Sequence, residues 1–203
     1  MSNDILKELF DYENFFQKEI FVKNNNPWEL ISNLSEYLDT VLKNGDKLVG
    51  DMSHIDASAE VEGKLIMGKN STIADNVLIR GDCIIGDNVH IGHAVEIKHS
   101  IIMDNTAIAH LNYVGDSIIG NNVNIGGGAI IANWRFDKKN IKIKFEDKKI
   151  DTNLEKFGAC VGDFSSLGIN SALNPGTILG KRSLVYPLVS AFGVHRENSV
   201  LRG

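Results

Sequence analysis

Residues 79–98 read IRGDCIIGDNVHIGHAVEIK, and the spacing of Ile79, Ile85, Ile91 and Ile97 within them decides the fold. Each isoleucine lies six residues from the next, and Ile85 and Ile91 stand before a glycine. The series extends backward through Ile73, Met67, Val61 and Ile55. Forward, one five-residue step leads to Ile102, Ile108 and Val114, and a second to Ile119, Ile125 and Ile131. After an interruption the six-step returns at Val161, Leu167, Leu173, Leu179, Val185 and Ala191. Four places after most of these stands a small or β-branched residue, among them Ala59, Ser71, Val77, Cys83, Val89, Val95, Thr106, Val123 and Ala129.

A period of six fits neither the 3.6-residue helix nor a long strand with alternating faces. It fits short strands joined by turns, three to a coil, each with an aliphatic residue pointing inward. Asn and Gly at the corners, as in Gly86-Asp87-Asn88 and Gly120-Asn121-Asn122, supply the left-handed backbone such turns require. One coil cannot bury its aliphatic residues alone, whereas stacked coils share a continuous core. The expected fold is mainly β, a left-handed parallel β-helix of hexapeptide repeats over residues 49–203.

Two segments fall outside the repeat. Residues 1–48 read as a helical segment. Asn26-Pro27 is a cap and first-turn pair. Trp28, Ile31, Leu34, Leu38, Val41 and Leu42 follow on one helical face, with Gly45 as a stop. An earlier helix is expected over roughly Asp4 to Phe16, the apolar faces packing on the β-helix or a neighbouring subunit. In the second segment, about 132–160, Ile141, Ile143 and Phe145 alternate with Lys142 and Lys144, and Glu146-Asp147-Lys148-Lys149 reads as a turn. This predicts an extruded basic hairpin or loop, and an excursion from a regular coil often carries function.

Composition narrows the function classes. A net charge of −5 argues against a general nucleic-acid binder. No apolar run reaches membrane-spanning length, and the N-terminus lacks the apolar core of a secretory signal. Cys83 and Cys160 stand far apart, without metal-ligand spacing, and read as buried thiols of a cytoplasmic protein.

With three repeats per coil, residues about eighteen apart stack. Arg80 and Lys98 then lie one above the other, and like charges so placed invite an anion such as phosphate. Two solvated surface cations would give the same pattern. His93, His110 and Gly127 share another column. A neutral imidazole can take a proton from a nucleophile, and a glycine beside it leaves its N–H open to a developing oxyanion. Ordinary corner histidines are the alternative.

The stretch 109–128, AHLNYVGDSIIGNNVNIGGG, closely resembles the acetyltransferase domain of bifunctional glucosamine-1-phosphate acetyltransferase / N-acetylglucosamine-1-phosphate uridylyltransferase. Upstream, Arg80 and Glu96-Ile97-Lys98 match that family's segments. Downstream, residues 132–139, ANWRFDKK, and 158–162, GACVG, look like its archaeal-type branch, so the resemblance covers roughly residues 65–195. It implies His110 as general base, Gly127 as oxyanion donor, and Asn133 beside them in the active site. It further implies that Arg80, Lys98 and Tyr113 hold a sugar phosphate, with Glu96 in the same segment and Asn124 on the sugar. Lys139 and Lys142 match archaeal-type positions, and Lys156 answers to a basic residue of the bacterial branch. The implied donor is acetyl-CoA, the implied assembly a homotrimer with sites between subunits, and no metal is expected. Trp134 departs from the bacterial branch, which has tyrosine there. Residues 1–48 hold no counterpart of the family's glycine-rich nucleotide loop, so uridylyl transfer is not expected.

Three other readings remain open. A zinc-dependent carbonic anhydrase on a similar β-helix would need three ligands, two of them on the same coil edge, and although His90, His93, His99 and His110 are numerous enough, they do not share one slot and the pair spacing is wrong. A non-catalytic β-helix for oligomerisation or regulation of a sugar nucleotidyltransferase would not need the combined set of polar residues. Acyl transfer from a carrier protein to a nucleotide sugar would require a deep apolar groove.

Overall fold

The computed structural model describes residues 5–43, 45–145 and 148–203. Parallel strands stack into three faces of a triangular prism. Among the described residues the first face holds eight strands, from Lys47–Val49 to Val194–His195. The second holds eight, from His54–Ile55 to Val200–Leu201, and the third seven, from Glu60–Glu62 to Ser190–Ala191. The expected β-helix is borne out.

The inward columns are those read from the sequence. Met67, Ile85, Ile102, Ile119, Val161 and Leu179 fill the prism from the first face, all essentially without solvent contact. Ile73, Ile91, Ile108 and Ile125 do so from the second, and Ile79, Ile97, Val114 and Ile131 from the third. Burying each such side chain is worth about 1.5–3 kcal/mol, and the ladder of coils places them in continuous contact. At the corner after the first face, Asn70, Asn88, Asn105 and Asn122 adopt φ between 55° and 58°, the left-handed conformation asparagine tolerates best among non-glycine residues. Corner hydroxyls close the remaining gaps. Ser71 Oγ accepts from the Val89 N–H (2.9 Å) and donates to the Gly86 carbonyl (2.7 Å), and Thr106 repeats the arrangement with Val123 and Gly120.

The two five-residue steps have a structural counterpart. Leu65 pairs with Cys83 eighteen residues on, whereas Ile84 pairs with Ile101 and Ile101 with Ile118, seventeen apart. The missing residue tightens the corner from third face to first, where His99 and Asp116 take φ of 46° and 45°.

The first face is apolar on both sides. Ile66, Ile84, Ile101, Ile118, Cys160 and Ile178 point outward and are buried under the N-terminal segment. That segment comprises α1 (Ile5–Leu9), α2 (Glu19–Val22), α3 (Pro27–Ser32) and α4 (Leu34–Leu42). It therefore packs on the β-helix. Where the sequence predicts one helix over Asp4 to Phe16, α1 stops at Leu9. Tertiary hydrogen bonds replace the helical ones there. The Asp163 N–H donates to the Leu9 carbonyl (3.0 Å), and the Asp11 N–H donates to Asp163 Oδ2 (2.6 Å). The second expected helix is broken at Asn33, whose Nδ2 donates to Asn24 Oδ1 (2.7 Å), and it ends at Leu42.

The insertion forms the expected hairpin, Lys142–Phe145 against Lys148–Asp151. Lys148 and Lys149, expected in the turn, belong instead to the second strand, opposite Phe145 and Lys144. Glu146 and Asp147 lie outside the described residues. The hairpin leaves the coil but does not project freely, because Ile141 and Ile143 are fully buried in the same apolar layer as the helices.

Candidate active site

Two groups of polar residues stand at opposite edges of the third face, separated by a three-residue strand, roughly 10 Å of chain. At the edge toward the first face, Arg80, Lys98 and Gly115 occupy one register. Arg80 and Lys98 thus stack as expected, but they are not an uncompensated cation pair. Arg80 Nε donates to Glu96 Oε1 (3.0 Å), and its Nη2 reaches the same oxygen. Lys98 Nζ binds both oxygens of Asp116, at 2.9 and 3.2 Å. The repulsion argument for a bound anion is therefore corrected: each cation already has a carboxylate. The reason is the tight corner, which turns Asp116 inward next to Lys98 and leaves it only 5 % exposed.

Asp116 gathers more of the cluster. Asn133 Nδ2 donates to its Oδ2. The Tyr113 side chain covers Gly115, where an added Cβ would meet the phenol oxygen at 2.5 Å and Asn133 Nδ2 at 2.8 Å, so a larger residue would have to displace both side chains. Burial first, and then the Asp116 and Glu96 carboxylates, push the Tyr113 phenol above its ordinary value, so it remains a neutral hydrogen-bond donor. Arg80, Glu96, Lys98, Tyr113 and Asn133 are brought together here. Sequence reading missed Asp116, although its signal was present: an acid at a shortened corner, eighteen residues after Lys98.

At the other edge, between second and third faces, Asp75, His93, His110 and Gly127 form one column. The Leu111 N–H donates to the His93 carbonyl, and the Gly128 N–H to the His110 carbonyl. A Cβ on Gly127 would stand 2.8 Å from His110 Nε2, so the imidazole lies against the glycine backbone. No hydrogen bond from the Gly127 N–H is found among the described residues. His93 differs from His110 in having a carboxylate partner, Asp75 Oδ2, 2.7 Å from its Nδ1. Both imidazoles are exposed in the single chain.

The remaining expected site residues lie elsewhere. Asn124 is on the second face, in register with Ala107 and Ser166, around the corner from Tyr113. Lys139 is exposed on the loop before the hairpin, and Lys142 is paired with Asp151 at 3.1 Å within it. Lys156 lines a cleft of about 320 Å³ together with Asp116, His99 and Ser32, so it borders the Lys98 cluster. Among the described residues no three His, Cys, Asp or Glu side chains converge as a metal site would need. Among the described residues no helix is long and apolar enough to cross a membrane.

Known proteins resemble this chain in sequence and in fold. The chain is 36% identical over 85 residues to a bifunctional sugar-1-phosphate nucleotidylyltransferase/acetyltransferase of Sulfurisphaera tokodaii, covering 42% of this chain and 21% of that protein. It is also 36% identical over 83 residues to the bifunctional protein GlmU of Methanococcus vannielii, covering 41% of this chain and 20% of the relative. The matched region thus spans about a fifth of the length of these curated relatives. These similarities bear out the resemblance read from residues 109–128. Among solved structures, a serine-to-threonine mutant of AntD, an N-acyltransferase from Bacillus cereus, shares the fold at a TM-score of 0.51 and 15% identity, over 80% of this chain and 81% of that one. The model of the GMPPB C-terminal domain matches residues 61–191, more than half of the sequence, and the chain belongs to that family.

Proposed function

We propose that the protein transfers an acetyl group from acetyl-CoA to the amine of an amino-sugar 1-phosphate, with glucosamine-1-phosphate as substrate. The observation that carries this reading is the pairing of an imidazole on an open glycine backbone with a cationic, hydrogen-bonding cluster along the same face. Arg80, Lys98 and Tyr113 hold the sugar phosphate, with Glu96, Asp116 and Asn133 fixing their positions. A phosphate entering the cluster takes over donors that now serve the two carboxylates.

The substrate amine loses a proton and attacks the thioester carbonyl. A C–N bond forms, and the carbonyl oxygen becomes an oxyanion facing the Gly127 N–H, where a fixed donor counts most. His110 removes a proton from the attacking nitrogen. The C–S bond then breaks, the amide remains on the sugar, and the thiolate leaves and is protonated as CoA. Asn124, Lys139 and Lys142 stand away from the cluster in one chain, which fits a homotrimer whose sites lie between subunits, with Lys156 at the rim. A reducing cytoplasm, with acetyl-CoA at hand, suits a protein with two unpaired buried thiols.

A second assignment of the base rests on one observation. His93, not His110, has the carboxylate that would orient a general base. Contact with Gly127 favours His110.

The test is release of free CoA thiol from acetyl-CoA with a panel of amino sugars. Release should occur with glucosamine-1-phosphate, or with another amino-sugar 1-phosphate, and fall sharply with unphosphorylated glucosamine. No release with any phosphorylated amino sugar, or equal release without the phosphate, overturns the proposal.

A further inference from the structure

A second cavity, of about 670 Å³, opens between α1 and the last coils, on the outer side of the first face. The Arg80–Lys98 cluster belongs to the corner between third and first faces. This cavity reaches the other corner, from first face to second. Its floor is apolar, formed by Ile5, Leu9, Ile178 and Val194. Among the described residues its rim carries Lys7, Lys181, Arg182 and Arg196 together with Glu8 and Glu197, and Asp163 lies behind Lys181.

The repeat itself marks the place. The two slots after the first face read Lys69-Asn70, Asp87-Asn88, Asp104-Asn105, Asn121-Asn122 and Glu197-Asn198 in five other coils, each asparagine with φ between 55° and 60°, and Asp51-Met52 and Asp163-Phe164 in two more, with φ of 58° and 62°. At Lys181-Arg182 both slots are cationic, which no other coil repeats. Arg182 holds φ of 58°, a conformation that asparagine adopts more readily than arginine. Both cations are held in place. Lys181 Nζ is 3.5 Å from Oδ2 of the fully buried Asp163. Arg182 donates through Nε to Asn198 Oδ1 (3.1 Å) and through Nη2 to Glu197 Oε2 (2.9 Å). These contacts use two of the five N–H donors of a guanidinium.

We propose that this cavity binds a nucleoside phosphate, at a site separate from the Lys98 cluster. Inorganic phosphate would leave the apolar floor bare, and a wholly apolar ligand would leave the spare N–H donors of Arg182 unused. A base or ribose on the floor with phosphates at Lys181 and Arg182 satisfies both, and the volume lies within the range of small-molecule sites.

The informative variant is Arg182→Asn, which installs the residue that five other coils use in the same slot and should leave the melting temperature unchanged or raised. Calorimetric titration of the full chain would use ADP, UDP, adenosine and pyrophosphate as probes. ADP or UDP should bind in the micromolar range, with adenosine and pyrophosphate each at least roughly tenfold weaker. Arg182→Asn should weaken the nucleotide by roughly tenfold or more, as expected for a lost charge-assisted contact, and Lys98→Ala should not change it. Neither nucleotide binding, pyrophosphate binding as well as ADP, unchanged affinity in Arg182→Asn, or loss of nucleotide binding in Lys98→Ala would each overturn the assignment. None of these outcomes depends on acetyl transfer.

Discussion

Gly127→Ala should separate catalysis from folding more cleanly than any other single change. The added Cβ would stand 2.8 Å from His110 Nε2 and 3.0 Å from its Cδ2. Ordinary contact between such atoms begins at about 3.5 Å, so the ring must retreat by roughly 0.7 Å or rotate away. The obstacle is the end of an exposed side chain, and Gly127 does not need a left-handed backbone. Displacing the ring costs about 0.5–1.5 kcal/mol, while alanine restricts the unfolded chain and returns about 0.4–1 kcal/mol. Net stability should change by less than about 1 kcal/mol, at most a few degrees in a thermal melt. The reacting geometry should suffer far more, because a misplacement near 1 Å can cost about 10²-fold in rate. The thiol-release assay should therefore show kcat falling by about two decades, with KM for the sugar phosphate nearly unchanged, since that ligand is held at the opposite edge of the face. Gly92→Ala is the contrast. Its Cβ would lie 1.5 Å from the Ala109 carbonyl oxygen, so it should disrupt the coil. Full activity in a stable Gly127→Ala protein would refute the placing of the reacting carbonyl at this column.

Three other outcomes follow from the packing. Lys98→Ala should weaken the sugar phosphate by one to two decades, the equivalent of about 1.5–3 kcal/mol. It should also destabilise the fold by stranding Asp116, and adding Asp116→Asn should restore stability in a denaturant titration without restoring affinity. Ile101→Ala, a fully buried position on the outer side of the first face, should cost about 2–5 kcal/mol, and limited proteolysis should then cut first within residues 5–42. Burial raises the Cys83 thiol to about 12 and the Cys160 thiol further. Neither should react with a disulfide reagent in the native protein at pH 8, and both should react once it is unfolded.

The inward columns were legible because one physical demand, an aliphatic residue at every strand, recurs without tertiary help. The outward column was legible in principle. The doublets Ile84-Ile85, Ile101-Ile102 and Ile118-Ile119 keep the coil period, and they predict a face buried on both sides once the period is known. The break in the N-terminal helix was not legible, because Asp163 captures the backbone at Leu9 and Asp11 from a distance of more than 150 residues in sequence. In the site, stacking placed Arg80 next to Lys98 and His93 next to His110 in successive coils, but register says nothing of partners. The carboxylates Glu96, Asp116 and Asp75 decide which cations and imidazoles are already engaged, and their reach depends on corner geometry and rotamers. Asn124, Lys139 and Lys142 entered through the resemblance to a family of shared sites, and one chain alone leaves them apart from the cluster.

The central claim is that His110 is the base for acyl transfer at this face, and the direct measurement is kcat of His110→Ala beside His93→Ala at saturating acetyl-CoA and glucosamine-1-phosphate. A positioned general base contributes about two to four decades in rate. His110→Ala should lose that much with acetyl-CoA binding nearly intact, and His93→Ala should lose far less. A His110→Ala enzyme within a few-fold of the parent, or a His93→Ala enzyme that is the more damaged of the two, would contradict the account and transfer the base to the imidazole paired with Asp75.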